Sequence, residues 1–278
     1  MPRRRAAALV LALPLALLST AVARPAGVNA VVSGLSGKLR AVFALPGQHP
    51  GVPGRPGVYR VLSDARQALS LIVLTPFSAK VAGRIGGYRM GEWPFERRAP
   101  RDPAYANPPG FIEVTPANFG VRVSEHFTLG QFVTKGQEDV WPKYVALDRR
   151  LVDKLELTIE ELRRSGYPVA GLAVMSGFRT PDYNDAGGDP AGRSAVSRHL
   201  YGDAADVYPD ASGRGGIDDL NGDGRRDLRD ARVLAAAAES VERRHPELIG
   251  GIGVYPGNAS HGPFVHIDAR GKRARWAG

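Results

Sequence analysis

The chain has 278 residues, enough for one large domain or two small ones and for a substantial core. It carries 37 Lys and Arg against 28 Asp and Glu, a formal net charge of +9, and no cysteine. The missing cysteine excludes disulfides, a lipid-modified cysteine and any cysteine nucleophile. The basic balance favours anionic partners such as cell-wall polymers or lipid headgroups.

The first stretch, MPRRRAAALVLALPLALLSTAVA, has three arginines, an apolar run from Ala6 to about Leu18 and a small-residue end at Ala21-Val22-Ala23. This is the three-part pattern of a secretory signal, so residues 1–23 are expected to be removed after Ala23. The apolar run is short for a bilayer span of ~20 residues, and no other segment is long and apolar enough for one. An exported chain, periplasmic or extracellular, is not expected to meet nucleic acid. Without Arg3, Arg4 and Arg5 it keeps 34 basic and 28 acidic residues, a formal charge of +6.

Residues 24–120 are rich in Gly and Pro, as in LPGQHPGVPGRPGVYR and RRAPRDPAYANPPG. Between these loops, Ser70–Phe77 (SLIVLTPF), Gly83–Trp93 (GRIGGYRMGEW) and Gly110–Thr115 (GFIEVT) read as short strands. The region is expected to be a small β-rich unit packed on the main domain, with Tyr59, Phe77, Tyr88 and Trp93 in its core, and it carries no recognisable chemistry.

From residue 121 the pattern changes. A helix is predicted from about Asp148 to Arg164, where Val152, Leu155, Ile159 and Leu162 recur on one face with charges opposite. Arg163 and Arg164 suit its C-terminal dipole end, and Gly166 can cap it. GLAVMSGFRTP reads as a short buried strand entering a loop at Ser176, Arg229 to Arg244 as a second helix, and Pro263–Asp268 (PFVHID) as the last strand. Strands and helices without a regular βαβ alternation point to an α+β fold.

The stretch SRHLYGDAADVYPD, Ser197 to Asp210, sets one histidine and several aspartates among small residues. Near the C-terminus, ASHGPFVHIDARG holds two more of the six histidines. In a strand, Phe264, His266 and Asp268 share a face while Val265 and Ile267 take the other. Imidazole and carboxylate are good zinc ligands, and three protein ligands leave a fourth position for water. Spacing alone does not decide between Asp203 and Asp206.

The three motifs SGFRTPDYN, SRHLYGDAADV and HGPFVHID, in this order, resemble the zinc D-Ala-D-Ala peptidases, a superfamily that includes VanX-type dipeptidases, murein endopeptidases and the Hedgehog amino-terminal domain. The likeness covers roughly residues 121 to 276. It implies a small antiparallel sheet with flanking helices, zinc ligands His199, Asp206 and His266, and Arg179 steadying the substrate carbonyl or carboxylate as charge develops. It also implies hydrolysis of peptidoglycan stem or cross-link peptides. Many relatives carry a glutamate three residues before the last zinc ligand or a histidine two before it. Pro263 and Phe264 stand there instead. The remaining candidates for the general base are His261, favoured because some murein endopeptidases have an upstream histidine, and Asp268, which could instead orient a ligand imidazole.

A separate loop, DLNGDGRRDLRD, places Asp219, Asn221, Asp223, Asp227 and Asp230 at positions 1, 3, 5, 9 and 12, Gly224 at position 6, and the carbonyl of Arg225 at position 7. This is the spacing of an EF-hand-type calcium loop. It ends in Asp rather than Glu, which resembles the dockerin variant, and a structural calcium ion is expected there. Ser-x-x-Lys, Gly-x-Ser-x-Gly and His-Glu-x-x-His are all absent, which argues against other common hydrolase classes.

Overall fold

In the computed structural model, residues 37–49, 51–62, 68–187 and 194–278 are described. The expected signal, residues 1–23, lies outside them. Among the described residues no helix is long and apolar enough to cross a membrane. The fold is mixed, with several small sheets and few helices, consistent with the α+β class expected.

Among the described residues the N-terminal part forms eight short strands: β1 Ala41–Ala44, β2 Gly57–Leu62, β3 Ala68–Val73, β4 Thr75–Pro76, β5 Arg84–Ile85, β6 Tyr88–Arg89, β7 Gly110–Val114 and β8 Lys143–Val145. They pair as β1-β3-β2, β4-β7-β8 and the hairpin β5-β6. Tyr88 and Trp93 are buried as expected, and Phe77 packs partly buried on the same core. The division at residue 120 falls within one strand pairing, since β7 before it bonds β8 after it. One apolar core runs across it, from Ile72, Phe111 and Val114 through Phe127 and Leu155 to Ile267.

Helix α1, Arg149–Arg164, starts where the Asp148 carboxylate accepts the N–H of Arg150. Its expected apolar face, Val152, Leu155, Ile159 and Leu162, is fully buried. The opposite face is not simply solvated. Lys154 is fully buried too, its ammonium 2.6 Å from Glu242 and 2.6 Å from the carbonyl of Asp268. Strand β9, Ala173–Ser176, is followed by the short helix α2, Pro181–Ala186, then β10 Ala204–Tyr208, helix α3 Leu228–Arg244, β11 Gly251–Tyr255 and β12 Phe264–Asp268. The chain then adds β13, Ala274–Ala277, so PFVHID is not the last strand. ARWA is too short, at 4 residues, to show a readable alternation in the sequence.

These five strands make one sheet in the order β13-β11-β12-β10-β9. Val207, Ile252, Val265 and Ile267 join the apolar core on one face, against which α1 and α3 pack. The registers line up a row on the other face: Trp276 beside Gly253, Gly253 beside His266, His266 beside Asp206, and Asp206 beside Ser176. Paired residues in neighbouring strands project to the same side. Strand pairing therefore delivers two of the predicted ligands as direct neighbours.

Candidate metal centre

His199 reaches this row from a 3-10 turn, Arg198–Tyr201. Gly202 ends the turn at φ 73°, and a Cβ there would come within 2.4 Å of the Ala146 backbone, so only glycine lets the turn close against that segment. The loop after β9 is stitched to the turn twice. The N–H of Arg179 donates to the carbonyl of His199 at 3.1 Å, and His199 Nδ1–H donates to the carbonyl of Gly177 at 2.6 Å.

Three atoms then converge. His199 Nε2 lies 3.2 Å from Asp206 Oδ1 and 3.1 Å from His266 Nδ1, which lies 3.0 Å from the same Asp206 oxygen. All three residues are buried, and they are the one group of three or more His, Asp or Glu side chains among the described residues that could hold a metal ion. A tetrahedral ion with bonds of ~2.0–2.1 Å separates its donors by roughly 3.3–3.4 Å. The observed edges match that spacing closely.

The protonation pattern points the same way. A carbonyl accepts from His199 Nδ1, so its Nε2 carries a lone pair. His266 Nε2–H donates to Asp268 Oδ2 at 3.1 Å, so in the neutral ring Nδ1 also carries one. Two nitrogen lone pairs and a carboxylate oxygen thus face one another with no donor among them, an arrangement that a cation relieves. Burial holds His199 below the usual histidine range, which keeps its ring neutral. Burial opposes charge on His266 as well, but hydrogen bonds to Asp206 and Asp268 outweigh it and raise its pKa. Asp206 sits well below the carboxylate range because the two imidazoles overcome its burial.

Asp206 Oδ2 turns the other way and accepts from Arg179 Nη2 at 2.5 Å, while Arg179 Nε donates to Ser176 Oγ at 2.8 Å. Asp203, the alternative ligand, is buried in an ion pair with Arg198, whose guanidinium lies over the rings of Tyr105 and Tyr201. It takes no part in the cluster.

Asp268 is fully buried and committed. Oδ1 accepts the N–H groups of Gly251 at 2.8 Å and Arg270 at 3.1 Å, and Oδ2 holds His266 and the Arg270 guanidinium. His266 and Arg270 offset its burial and drive its pKa far down. It orients His266 and is not placed to serve as a free base. His261 lies apart from the three ligands, with Nδ1–H toward the carbonyl of Gly262 at 2.9 Å and Nε2 accepting from the Asn258 amide at 2.9 Å.

The metal cleft, about 370 Å³, is lined by Arg179, Arg198 and Arg270, with Asp206 the sole carboxylate among the described residues around it. Its walls include Tyr105, Tyr255 and Trp276, none of which was singled out in the sequence. Tyr255 stacks on Phe264 at 4.7 Å, and the Trp276 indole donates to the Tyr255 hydroxyl at 2.7 Å. Trp276 lies flat over Gly253, where a Cβ would meet the ring at 2.3 Å, and reaches within 5.1 Å of the His266 ring. Tyr105 comes from the Gly/Pro-rich part in which no chemistry was expected.

In the second predicted metal loop, Asp219 accepts the N–H groups of Gly222 and Gly224, Asn221 that of Asp223, Asp223 that of Arg225, and Asp227 that of Arg229. Asp227 is the N-cap of α3, and the buried Asp230, three residues on, completes the capping box by accepting from the Asp227 N–H and also accepts from Leu220 and Asn221. Arg229 bridges Asp223 and Asp227. No three of the loop's carboxylates come within 4.8 Å of one another. The loop's side chains bind its own backbone, and the acids are not gathered on a common point. No family model matches the chain, and no curated protein does.

Proposed function

We propose that the protein is an exported zinc metallopeptidase that hydrolyses peptidoglycan stem or cross-link peptides, as a D-Ala-D-Ala carboxypeptidase or endopeptidase, on a Hedgehog/D-Ala-D-Ala peptidase-like fold. The observation that carries the reading is the convergence of three buried electron-pair donors, His199 Nε2, Asp206 Oδ1 and His266 Nδ1, beside the guanidinium of Arg179. Two histidines and one carboxylate form a donor set that suits zinc and leaves a coordination position for water.

Zinc held there would supply Lewis acidity, polarising a peptide carbonyl and bringing the pKa of water to ~7. The chain's own groups do the rest. Asp268 fixes the His266 ring, and Asp206 faces the site with one oxygen while its other oxygen holds Arg179 in place. Arg179, planar and permanently charged, stabilises the negative charge that grows on the carbonyl oxygen. Its position at the junction of the metal cleft and the neighbouring depression lets it meet substrate. His261 Nε2, on the wall of that depression, takes the proton from water and returns it to the leaving amine once released from Asn258.

A second reading is favoured by one observation. Among the described residues the cleft holds no carboxylate besides the ligand Asp206, and His261 makes no hydrogen bond to the three ligands. A protein keeping the zinc fold without hydrolysis, a cell-wall binder, would have that composition. Digestion of cross-linked muropeptides by the purified protein, with and without a chelator, separates the two. Chelator-sensitive cleavage followed by mass spectrometry is expected, and His266→Ala should lose both zinc and activity. Hydrolysis retained by that variant would refute the site. The loop Asp219–Asp230 is proposed as a calcium loop bracing α3. Its support is the chain of side-chain-to-backbone bonds at positions 1, 3, 5 and 9, and the positive φ of Gly224 at position 6.

A further inference from the structure

Arg179 does not close the metal cleft. Beyond it lies a larger depression of about 650 Å³, which shares Arg179 with the metal cleft and is also walled by Ser176 and His261. Three large apolar side chains stand exposed among the described residues, and two of them, Phe119 (42%) and Trp141 (40%), line this depression. Exposed aromatic area gathered in one concavity marks a recognition surface, whereas scattered single residues do not. The two rings meet edge to face, 6.0 Å apart at 75°.

Both rings are held. Phe119 lies over Gly130, where a Cβ would come within 2.2–2.5 Å of three of its ring atoms, and the Gly130 N–H donates to the Phe119 carbonyl at 2.9 Å. Trp141 is backed by the Lys143 ammonium, 4.5 Å from the ring centroid. That ammonium is itself fixed by the carbonyls of Glu138 at 3.0 Å and Val140 at 3.1 Å. Gln131, Thr134, Lys135, Glu138 and Tyr183 surround the rings with polar groups. An aliphatic side chain entering here would use the rings but strip water from that rim without replacing its hydrogen bonds. A sugar ring, with C–H faces and a polar edge, satisfies both. Ring surfaces fixed before binding also lower the ordering cost.

We propose that this depression is a saccharide subsite that takes an N-acetylhexosamine unit of the glycan bearing the peptide, so that the protein selects glycan-attached over free peptide. The selection rests on the peptidase reading; saccharide binding itself does not.

The test titrates a β-1,4-linked N-acetylglucosamine tetramer into the purified full chain, read by calorimetry and by tryptophan fluorescence. Binding is expected. Trp141→Ala and Phe119→Ala should each weaken it at least 10-fold. Gly130→Ala, which displaces the Phe119 ring, should do the same. Val81→Ala, which removes the third exposed apolar side chain (71%), should not. Thermal midpoints check folding, and Phe119→Ala and Gly130→Ala stand in should Trp141→Ala not fold. In parallel, Trp141→Ala should lower kcat/KM about 10-fold on a muropeptide and leave it unchanged on the same peptide freed of sugar. A parent protein that ignores the tetramer, or variants that bind it as the parent does, would overturn the subsite. Absence of hydrolysis on either substrate would refute the peptidase reading, while the titration still decides the subsite.

Discussion

Replacing Asp268 by asparagine removes one charge and one acceptor from the centre without changing its shape. The carboxylate now accepts from Gly251 and Arg270 through Oδ1, and from His266 Nε2–H and the Arg270 guanidinium through Oδ2. An amide has one acceptor oxygen. If that oxygen keeps Gly251 and Arg270, the NH2 group faces His266 Nε2 and forces it to accept. The ring proton then moves to Nδ1, 3.0 Å from Asp206 Oδ1, and the lone pair meant for the ion is gone. If the amide turns over, His266 keeps its tautomer, but buried donors at Gly251 and Arg270 lose their partner at about 1–3 kcal/mol each. The first arrangement also gives up the Arg270 contact to that side of the carboxylate, and it is the one that costs metal affinity. Loss of a carboxylate behind a ligating histidine costs 10–100-fold in affinity. With the tautomer inverted, the upper end is expected, about 100-fold or ~2.7 kcal/mol. Competition for zinc against a chromophoric chelator near pH 7.5 measures it, and nitrogen NMR of the His266 ring reports which nitrogen is protonated. A folded D268N protein that bound zinc within about threefold of the parent would show that Asp268 does not set the ligand.

Glu161 gives the chain an acid-sensitive contact at the α1–α3 crossing. The Arg164 hydrogen bond, helped by Ser240 and Arg244, outweighs burial and lowers its pKa to about 2. A carboxylate with a depressed folded pKa contributes stability above its unfolded value near 4.5, and that contribution is lost as pH falls from about 5 to about 2. The arginines are 64% and 47% exposed, so screening cuts the contribution to on the order of 1–2 kcal/mol. Urea titrations should find E161Q less stable than the parent by that amount at pH 7, with the two curves meeting near pH 2; a pH-independent gap would contradict this. For the Asp219–Asp230 loop, millimolar calcium should raise the thermal midpoint of the parent and not that of a D219A/D223A variant. An unchanged parent midpoint would remove calcium from the account.

What the sequence disclosed, and what it withheld, follows from how local each signal is. His266 and Asp268 could be placed on one strand face because period-two alternation is a property of five consecutive residues. Helix α1 was legible in the same local way, from the recurrence of Val152, Leu155, Ile159 and Leu162. The choice between Asp203 and Asp206 was not local. It depends on Arg198, sandwiched by Tyr105 from a segment about 90 residues upstream, claiming Asp203 and leaving Asp206 to pair with His266 in the neighbouring strand. The buried Lys154 was hidden for the same reason, since its partners Glu242 and Asp268 lie 88 and 114 residues away. The aromatic walls escaped because a tyrosine or tryptophan reads alike whether it fills a core or lines a cleft. Trp93 and Trp276 are chemically identical, and only the bare Gly253 between His266 and Trp276 puts the second beside the candidate ligands. The row Trp276, Gly253, His266, Asp206 and Ser176 draws one residue from each strand of the sheet. Moving any one pairing by a single residue would turn that residue to the helix-covered face. The same registers that close the core over α1 and α3 therefore also assemble the centre, so disturbing the core behind β12 should loosen the ligands in front of it.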